Sequence, residues 1–416
     1  MRPSLPQLRS LLKPAELALL DAAITEATTS GVPLWLVGGA VRDLALRRPV
    51  HDLDLALPFA AAPFAAAVVA RLGANATVED ESRFGTASVR FEDARLDLAR
   101  LRSERYVSSG ALPEVTFVDR VEDDLARRDF SVNAMALGLA GEQPDVVVDP
   151  FEGLNDLAVR RLRVLHPRSF EDDATRLWRG ARTAAVFDLA PDEATARLIA
   201  EGARYLDTIS GDRITAELKF TARRGRAGRT LALADAWGIL RGTHPALRLD
   251  ASTGRALQHR ASHVPFEVFM ALLLTPLPER TAILERLSAS RAITTAVEQA
   301  ARLIEAGAGD ATPEVLAGLA GVTGDARTAA RWLDPERQPA LQSDLGRWER
   351  TRPPLDAEEL MRLGVPRGPA LGVALDRLRR ARYLGTLGTR AEARRAVREW
   401  AAQEWTVQQR TVETHG

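Results

Sequence analysis

The stretch LVGGAVRDLALRRPVHDLDLAL, residues 36–57, decides the fold of this 416-residue chain. A hydrophobic run ends at Gly38 and Gly39, and paired glycines allow a backbone to approach a phosphate at the start of a helix. An alternating strand follows, with Asp52 and Asp54 on one face and leucines on the other. Two such carboxylates repel each other unless a cation neutralises them, and Mg²⁺ prefers oxygen ligands. Each pattern alone also fits a tight strand–helix turn or a solvated edge strand.

The first 165 residues predict a small mixed α/β unit. Short β-like runs separated by Gly, Pro and polar turns lie at 33–39, 51–57, 86–93, 94–101, 113–118 and 144–149. Helical spacing predicts helices at 14–27, 60–72 and 123–137. In the run 94–101, Asp97 points away from its leucine neighbours. A third carboxylate on an adjacent strand could complete a site for two metal ions.

Strand patterns end near residue 170, and Ala, Leu and Arg dominate the rest. We therefore predict an α+β protein in which a small mixed-sheet head is followed by all-helical segments. Breaks in the pattern place the head at 1–165, a neck at 166–230, a body at 231–350 and a tail at 351–416.

The composition excludes several classes of protein. The 56 basic and 56 acidic residues cancel, so net charge does not point to nucleic acid. Cysteine is absent, which excludes disulfides, thiol catalysis and Cys-based zinc sites. No apolar run is long enough to span a membrane, and the first residues do not form a signal-peptide pattern. We expect a soluble cytoplasmic protein without a membrane partner.

Two further motifs carry candidate chemistry. The first is RRDFSVNAM at 127–135, where adjacent arginines beside an acid can bind phosphate and orient a ribose hydroxyl. The second is FEDDATRLWRGAR at 170–182, where Asp173 and Arg176 are three positions apart and should share one side of a helix. A basic surface corner and a solvated helical ion pair are the ordinary interpretations.

Together these motifs resemble those of class II tRNA nucleotidyltransferases and bacterial poly(A) polymerases, which share a DNA polymerase beta-like nucleotidyltransferase head. The resemblance continues in DPFEGLNDLAVRRLRVLHP (149–167), SGDRITAELKF (210–220) and the segment 360–397. It implies catalytic roles for Asp52 and Asp54, which would hold Mg²⁺. It implies nucleotide binding by Gly38, Gly39, Arg42, Arg128, Asp129, Asn133, Asp173, Arg176 and Arg179. From its strand position, Asp97 is predicted as a third catalytic residue that either completes the metal site or acts as a base.

In the resembled family, the E-D-x-x-R motif presents Asp and Arg to the Watson–Crick edge of the incoming nucleotide. Cytosine and adenine each offer an amine donor beside a ring-nitrogen acceptor, so Asp accepts and Arg donates. Guanine and uracil present the opposite polarity and leave buried charge unpaired. This chain has Asp172, Ala174 and Thr175 where Glu, Pro and Leu are usual, but Asp173 and Arg176 remain in place.

The predicted tail is rich in arginine. Residues 362–398 contain ten arginines and two acids, Asp376 and Glu392. A solvated helix face is one interpretation. The resemblance favours a clamp on the tRNA backbone, with Arg367, Arg377 and Arg380 as contacts.

The resemblance thus implies a template-independent enzyme that adds the 3′-terminal CCA of tRNA from CTP and ATP and releases pyrophosphate. No protein partner is implied. Addition of CC only, or of the final A only, and poly(A) synthesis are the alternatives within the family. From other classes, the alternatives are an inactive RNA-binding protein and a small-molecule nucleotidyltransferase of the antibiotic-modifying type, against which the arginine-rich tail and the D-x-x-R motif argue. Loss of either Asp52 or Asp54 would favour the inactive protein, and both are present.

Overall fold

The computed structural model describes residues 2–50, 52–82, 85–258 and 263–402. His51 and the last fourteen positions of the predicted tail, 403–416, lie outside the described residues. Contacts divide the chain into two compact units, residues 1–264 with 281–289 and residues 265–280 with 290–416. The predicted boundaries at 165, 230 and 350 are a different and finer division, which stays a prediction.

The strands, in chain order, are β1 (Leu34–Val37), β2 (Leu53–Leu57), β3 (Ala76–Ser82), β4 (Thr86–Phe91), β5 (Ala94–Arg100), β6 (Arg102–Arg105), β7 (Glu114–Phe117), β8 (Ala136–Ala140), β9 (Val147–Val148), β10 (Arg161–Leu162) and β11 (Ala190–Pro191). Seven of them form one mixed sheet in the order β3-β4-β5-β2-β1-β8-β9. Only the β2–β5 pair within this sheet, as described, is parallel. Strands β6 and β7 form a separate hairpin.

The helices, in chain order, are α1 (Leu5–Leu11), α2 (Pro14–Ser30), α3 (Gly39–Ala45), α4 (Ala61–Leu72), α5 (Val121–Ala126), α6 (Gly153–Ala158), α7 (Ser169–Asp172), α8 (Thr175–Phe187), α9 (Glu193–Gly202), α10 (Gly211–Arg223), α11 (Ala227–Ala236), α12 (Ile239–Thr243), α13 (Ala251–Gln258), α14 (Phe266–Leu274), α15 (Arg280–Arg286), α16 (Arg291–Gly307), α17 (Pro313–Gly318), α18 (Gly324–Leu333), α19 (Gln338–Arg350), α20 (Ala357–Arg362), α21 (Pro369–Tyr383) and α22 (Arg390–Trp400). The predicted architecture, a mixed sheet followed by helices, is confirmed.

Helices α2 and α4 pack on the sheet of the first unit and bury its apolar side chains. Helix α2 begins at Pro14, which suits a first turn, and ends before Gly31 in the left-handed region at φ 65°. It buries Leu19 and Leu20, while α4 buries Phe64 and Val68. Both helices match the predictions at 14–27 and 60–72. This packing holds the strands β2 and β5 in place.

The predicted helix at 123–137 is wrong. Helix α5 ends at Ala126, a single 3₁₀ turn covers Ser131–Asn133, and the chain then forms β8. The carboxylate of Asp129 accepts the backbone N–H of Phe130 at 2.8 Å, a local bond that competes with helix formation. Every residue of β8 is buried, so its continuous apolar run resembles a helix segment in the sequence.

A short parallel pair, β10 with β11, places one strand beyond residue 170, where the sequence predicted only helices. The two residues of β11 are too few to give an alternating pattern.

The second unit is helical in its described part. Helix α14 is buried continuously from Val268 to Leu274 and packs against α16 and α18. Towards the end of the chain, α20, α21 and α22 share a small core that includes Leu360, Leu378 and Val397. Of the leucines of α21, Leu378 is buried, and Leu371 and Leu375 pack against this core.

Candidate active site

Three carboxylates gather where β2 and β5 run side by side. The two strands are adjacent, and in their parallel register Asp54 lies directly opposite Asp97. Burial, the charge of Asp52 and the charge of Asp97 together raise the pKa of Asp54 to about 6. At Asp54, burial and the repulsion from Asp52 and Asp97 therefore outweigh the attraction from Arg128 and Arg224.

The partners of the other two carboxylates differ. Asp97 accepts hydrogen bonds from the Ser88 hydroxyl and from Arg95 Nε, the latter at 2.9 Å. Asp52 forms an ion pair with Arg224 at 2.7 Å. Within residues 2–50, 52–82, 85–258 and 263–402, no group of three His, Cys, Asp or Glu side chains is arranged to hold a metal. The Asp52–Asp54 pair nevertheless fits a divalent cation, because its oxygen donors carry an excess of negative charge.

The glycine turn lies beside these acids and brings two arginines together. Gly38 has a φ of 71°, which favours glycine, and a Cβ atom there would lie 2.5 Å from Nη1 of Arg128. Helix α3 starts at Gly39 and carries Arg42, whose Nη1 donates to Asn133 Oδ1 at 2.6 Å. Burial lowers the pKa of Arg42 from its ordinary value, and Asp43 opposes this effect.

Asp129 is the buried centre of the R-R-D motif. Its carboxylate accepts from Arg179 Nε at 2.7 Å and from Asn133 Nδ2 at 3.0 Å. Burial opposes ionisation, but Arg179 and Asn133 outweigh it and hold the pKa of Asp129 well below its usual range. Gly180 of α8 packs directly against the ring of Phe130, from which a Cβ atom at this position would be only 2.8 Å away. Because glycine has no Cβ, α8 can come close enough for Arg179 to reach Asp129.

Asp173 and Arg176 do not lie on one continuous helix, which corrects the prediction for this motif. Asp173 follows α7 in extended conformation, and α8 begins at Thr175. The chain breaks because Asp173 Oδ1 accepts both the backbone N–H and the hydroxyl of Thr175, at 3.0 and 2.7 Å. The same oxygen accepts from Arg213 at 2.8 Å.

Arg176 is buried and its guanidinium is held from several sides. It donates to the backbone oxygen of Arg127 at 2.8 Å and to the Ser169 hydroxyl at 3.0 Å. The ring of Tyr106 lies 5.9 Å from the guanidinium carbon. Burial, Glu104 and Asp173 raise the pKa of Tyr106 to about 12, so this ring stays neutral at physiological pH.

A single cavity of about 910 Å³ brings most of the predicted site residues together. Those that line it are Gly39, Arg42, Asp52, Asp54, Arg128, Asp129, Asn133, Asp173, Arg176 and Arg179. Gly38 and Asp97 are not among its lining residues, although both adjoin residues that are.

Sequence reasoning did not single out several other lining residues: Glu104, Tyr106, Arg182, Phe220, Arg223 and Arg224. For two of them, Phe220 and Arg224, the sequence of α10 and of the residue that follows it contains a signal. Arg213, Glu217, Phe220 and Arg224 follow one another at intervals of four, three and four, which places them on one helix face.

The arginines predicted to bind RNA lie in the second unit and line no part of this cavity. Arg380 pairs with Asp376 at 2.5 Å and with Glu314. The guanidinium of Arg377 lies 4.0 Å from the ring centre of Trp400, and Arg367 Nε donates to the Met361 sulfur at 3.4 Å. Their role in RNA binding stays a prediction.

No helix in the described part of the chain is long and apolar enough to cross a membrane.

Comparison with known proteins identifies the family of this chain. Residues 34–163 match the family model of the poly A polymerase head domain. A CC-adding tRNA nucleotidyltransferase of Deinococcus radiodurans is 30% identical over 404 residues, covering 95% of this chain and 96% of that protein. The chain belongs to the class II tRNA nucleotidyltransferase family. The predicted family and enzyme class, an RNA nucleotidyltransferase, are thereby confirmed, and enzymes of this family generally use a divalent metal ion.

Other relatives match over about half of this chain. An A-adding tRNA nucleotidyltransferase of Halalkalibacterium halodurans is 41% identical over 191 residues, which span 45% of this chain and 44% of that relative. This class II chain thus spans less than half the length of that protein. A solved apo structure of a CCA-adding enzyme has the same fold, with a TM-score of 0.78 at 23% identity over 95% of this chain and 99% of that chain.

Proposed function

We propose that this chain extends the 3′ end of tRNA with nucleotides taken from CTP and ATP and builds the complete CCA end. The observation that carries the proposal is that one cavity contains both the acidic pair Asp52–Asp54 and the charged pair Asp173–Arg176. The first pair suits phosphoryl chemistry, and the second can select a base. A nucleotide that spans the two has its triphosphate near the acids and its base near α8.

Asp52 and Asp54 would hold Mg²⁺, which fits their oxygen donors and the carboxylate repulsion that helps to raise the pKa of Asp54. When bound, the cation supplies Lewis-acid stabilisation of the negative charge on the reacting phosphate. Asp97 supports the site by its charge beside Asp54, and its bonds to Ser88 and Arg95 fix its orientation.

Arg42 and Arg128 bind the triphosphate from the side of the glycine turn. Their guanidinium groups offer planar donors that match phosphate oxygens. In the reaction, the terminal 3′-hydroxyl of the RNA forms a bond to the α-phosphorus of the nucleotide. The bond from that phosphorus to the bridging oxygen of the β-phosphate breaks, and pyrophosphate leaves with the electron pair. The hydroxyl proton passes to solvent or to an adjacent carboxylate.

Asp129, with Arg179 and Asn133, faces the ribose. Asp129 is ionised and held by fixed donors, so it can accept a hydrogen bond from a ribose hydroxyl without reorganisation.

Asp173 and Arg176 read the base. Among the described residues, the donors to Asp173 bond its Oδ1 atom, so Oδ2 remains to accept the exocyclic amine of cytosine or adenine. Arg176 supplies the matching donor to the ring nitrogen. Guanine and uracil would leave Oδ2 of Asp173 without a donor and Arg176 without an acceptor on the base.

Incorporation assays test the proposal. Labelled CTP and ATP are supplied separately and together, with Mg²⁺, to tRNA transcripts ending at the discriminator base, at C and at CC. We expect the complete CCA on the shortest transcript and none with GTP or UTP. Asp52→Asn should abolish incorporation and leave tRNA binding largely intact. Asp93→Asn, a control at an exposed turn residue, should behave as the wild type.

CC-only addition is the second candidate, because a relative that aligns along nearly the whole chain is a CC-adding enzyme. A product that stops at CC would establish it, and ATP use on the CC-ended transcript alone would indicate A addition. Long A tails would indicate a poly(A) polymerase. Absence of incorporation on all three transcripts would refute the enzymatic proposal and favour an inactive RNA-binding protein.

A further inference from the structure

Helix α10 runs along the cavity from the base-reading pair to the acidic pair. Near its start, Arg213 forms an ion pair with Asp173 at 2.8 Å. Directly after its last residue, Arg224 forms an ion pair with Asp52 at 2.7 Å. Phe220 lies between them on the same helix face and lines the cavity. One helix therefore joins the two ends of the candidate site.

Phe220 is unusual because it is a large aromatic residue left 47% exposed in this polar cavity. The guanidinium of Arg182 lies 5.6 Å from its ring centre and is fixed by an ion pair with Glu217 at 2.7 Å. The ring is thus held in position by a charged neighbour rather than by an apolar core. An exposed, fixed aromatic ring beside arginines is the kind of surface on which single-stranded nucleic acids stack their bases.

The ring is not placed to hold the base of the incoming nucleotide. Phe220 follows Arg213 by seven positions in the helix, which corresponds to about 10 Å along its axis. Phe220 is therefore nearer along the helix to Arg224, the partner of Asp52, than to Arg213, the partner of Asp173. The ring serves a second base, nearer to Asp52 and to the reaction centre.

We infer that Phe220 stacks the 3′-terminal base of the acceptor RNA, and that Arg224 binds the phosphate of that terminal nucleotide. The inference rests on the proposed function and names how its RNA substrate is held. When RNA enters, Arg224 leaves its ion pair with Asp52 and binds the phosphate instead. Arg223 also lines the cavity and adds positive charge at the same point. Because stacking uses the face of a base, the platform accepts the different terminal bases met during successive additions.

A fluorescent RNA tests the stacking without requiring turnover. The probe is a tRNA acceptor-stem minihelix with 2-aminopurine as its last nucleotide, titrated with the full-length protein. Stacking on Phe220 should quench the fluorescence. Phe220→Ala should remove the quenching and weaken binding about 5-fold to 150-fold, the range expected for loss of one stacked base. Phe220→Trp should restore both, and Phe59→Ala, a control at an equally exposed ring outside the cavity, should match the wild type.

The phosphate contact has its own measurement. Arg224→Ala should lower the slope of log affinity against log salt concentration by about 0.7, the value for one contact with single-stranded nucleic acid. Arg197→Ala is the control, because Arg197 is an exposed arginine outside the cavity. In steady-state assays, both Phe220→Ala and Arg224→Ala should raise the KM for RNA and leave the KM for CTP within about twofold of the wild-type value.

Two results would overturn the inference: quenching and affinity unchanged in Phe220→Ala, or a rise in the KM for CTP in place of the KM for RNA. Thermal melting identifies a variant that fails to fold, in which case Phe220→Leu replaces it. If the wild type binds and quenches the RNA but incorporates no nucleotide, the proposed function fails while the stacking site stands. If the wild type is active and Phe220→Ala is indistinguishable from it, only the stacking site fails.

Discussion

Replacing Asp54 by Asn should stabilise the metal-free protein at neutral pH, although the same change removes a proposed metal ligand. Asp54 is part-buried beside two other carboxylates, and its pKa of about 6 lies above the ordinary value of 3.8. Between these pH values the folded protein retains a proton that the unfolded chain has lost. Stability therefore falls as the pH rises from about 4 to about 6, and the penalty is complete above pH 6.

The magnitude follows from the difference between the two pKa values. About two pH units correspond to about 3 kcal/mol as an upper limit. Asp54 is only part-buried, and Arg128 and Arg224 offset some of the repulsion, so we expect a gain of about 1–2 kcal/mol. For a unit of this size, the gain corresponds to a rise in Tm of about 2–6 °C.

The assay is thermal unfolding of wild type and Asp54→Asn in a chelator at pH 4.5, 6 and 7.5, with Asp93→Asn as the control. The gap between wild type and Asp54→Asn should be small at pH 4.5 and largest at pH 7.5. Added MgCl₂ should raise the Tm of the wild type more than that of the variant. A variant that is equally or less stable at pH 7.5, or a gap independent of pH, would refute the electrostatic reasoning.

Three further substitutions examine other parts of the site. Gly38→Ala should cost about 1–2 kcal/mol in chemical denaturation, because alanine disfavours a positive φ and its Cβ would displace Arg128; an unchanged midpoint would contradict this. Asp129→Ala should cost about 2–3 kcal/mol in the same assay, less than for a fully buried pair because the Arg179 side chain is 46% exposed. Arg176→Lys should lower kcat/KM for CTP about 10-fold to 100-fold while the protein remains folded, because lysine lacks the planar fork; equal kcat/KM would exclude Arg176 from base reading.

The sheet that carries the acids could be predicted because its strands alternate. Period-two patterns at 51–57 and 94–101 assign Asp54 and Asp97 to polar faces, and the observed register places these residues opposite each other. The paired glycines likewise predict the turn at Gly38, since few other residues adopt its φ. In both cases a local rule is sufficient, because strand alternation and the φ preference of glycine depend only on residues that are close together in the sequence.

The other features of the fold and of the candidate site depend on contacts that local sequence patterns do not reveal. The spacing of Asp173 and Arg176 suits a helix, but the Thr175 hydroxyl gives Asp173 a capping partner that ends one. Strand β8 is buried on both faces, so its residues show no alternation. Phe220 and Arg224 become part of the site only when α10 lies beside Asp52, a residue far away in the chain.

The parallel pairing of β2 with β5 also determines when the acidic cluster can come into existence. A parallel pair cannot be closed by a hairpin, so the chain must first complete α4, β3 and β4 before Asp97 reaches Asp54. During synthesis, a nascent chain that ends between residues 58 and 93 already contains the glycine turn, Asp52 and Asp54, but lacks β5. The carboxylate repulsion is thus postponed until five of the seven strands of the sheet have been synthesised.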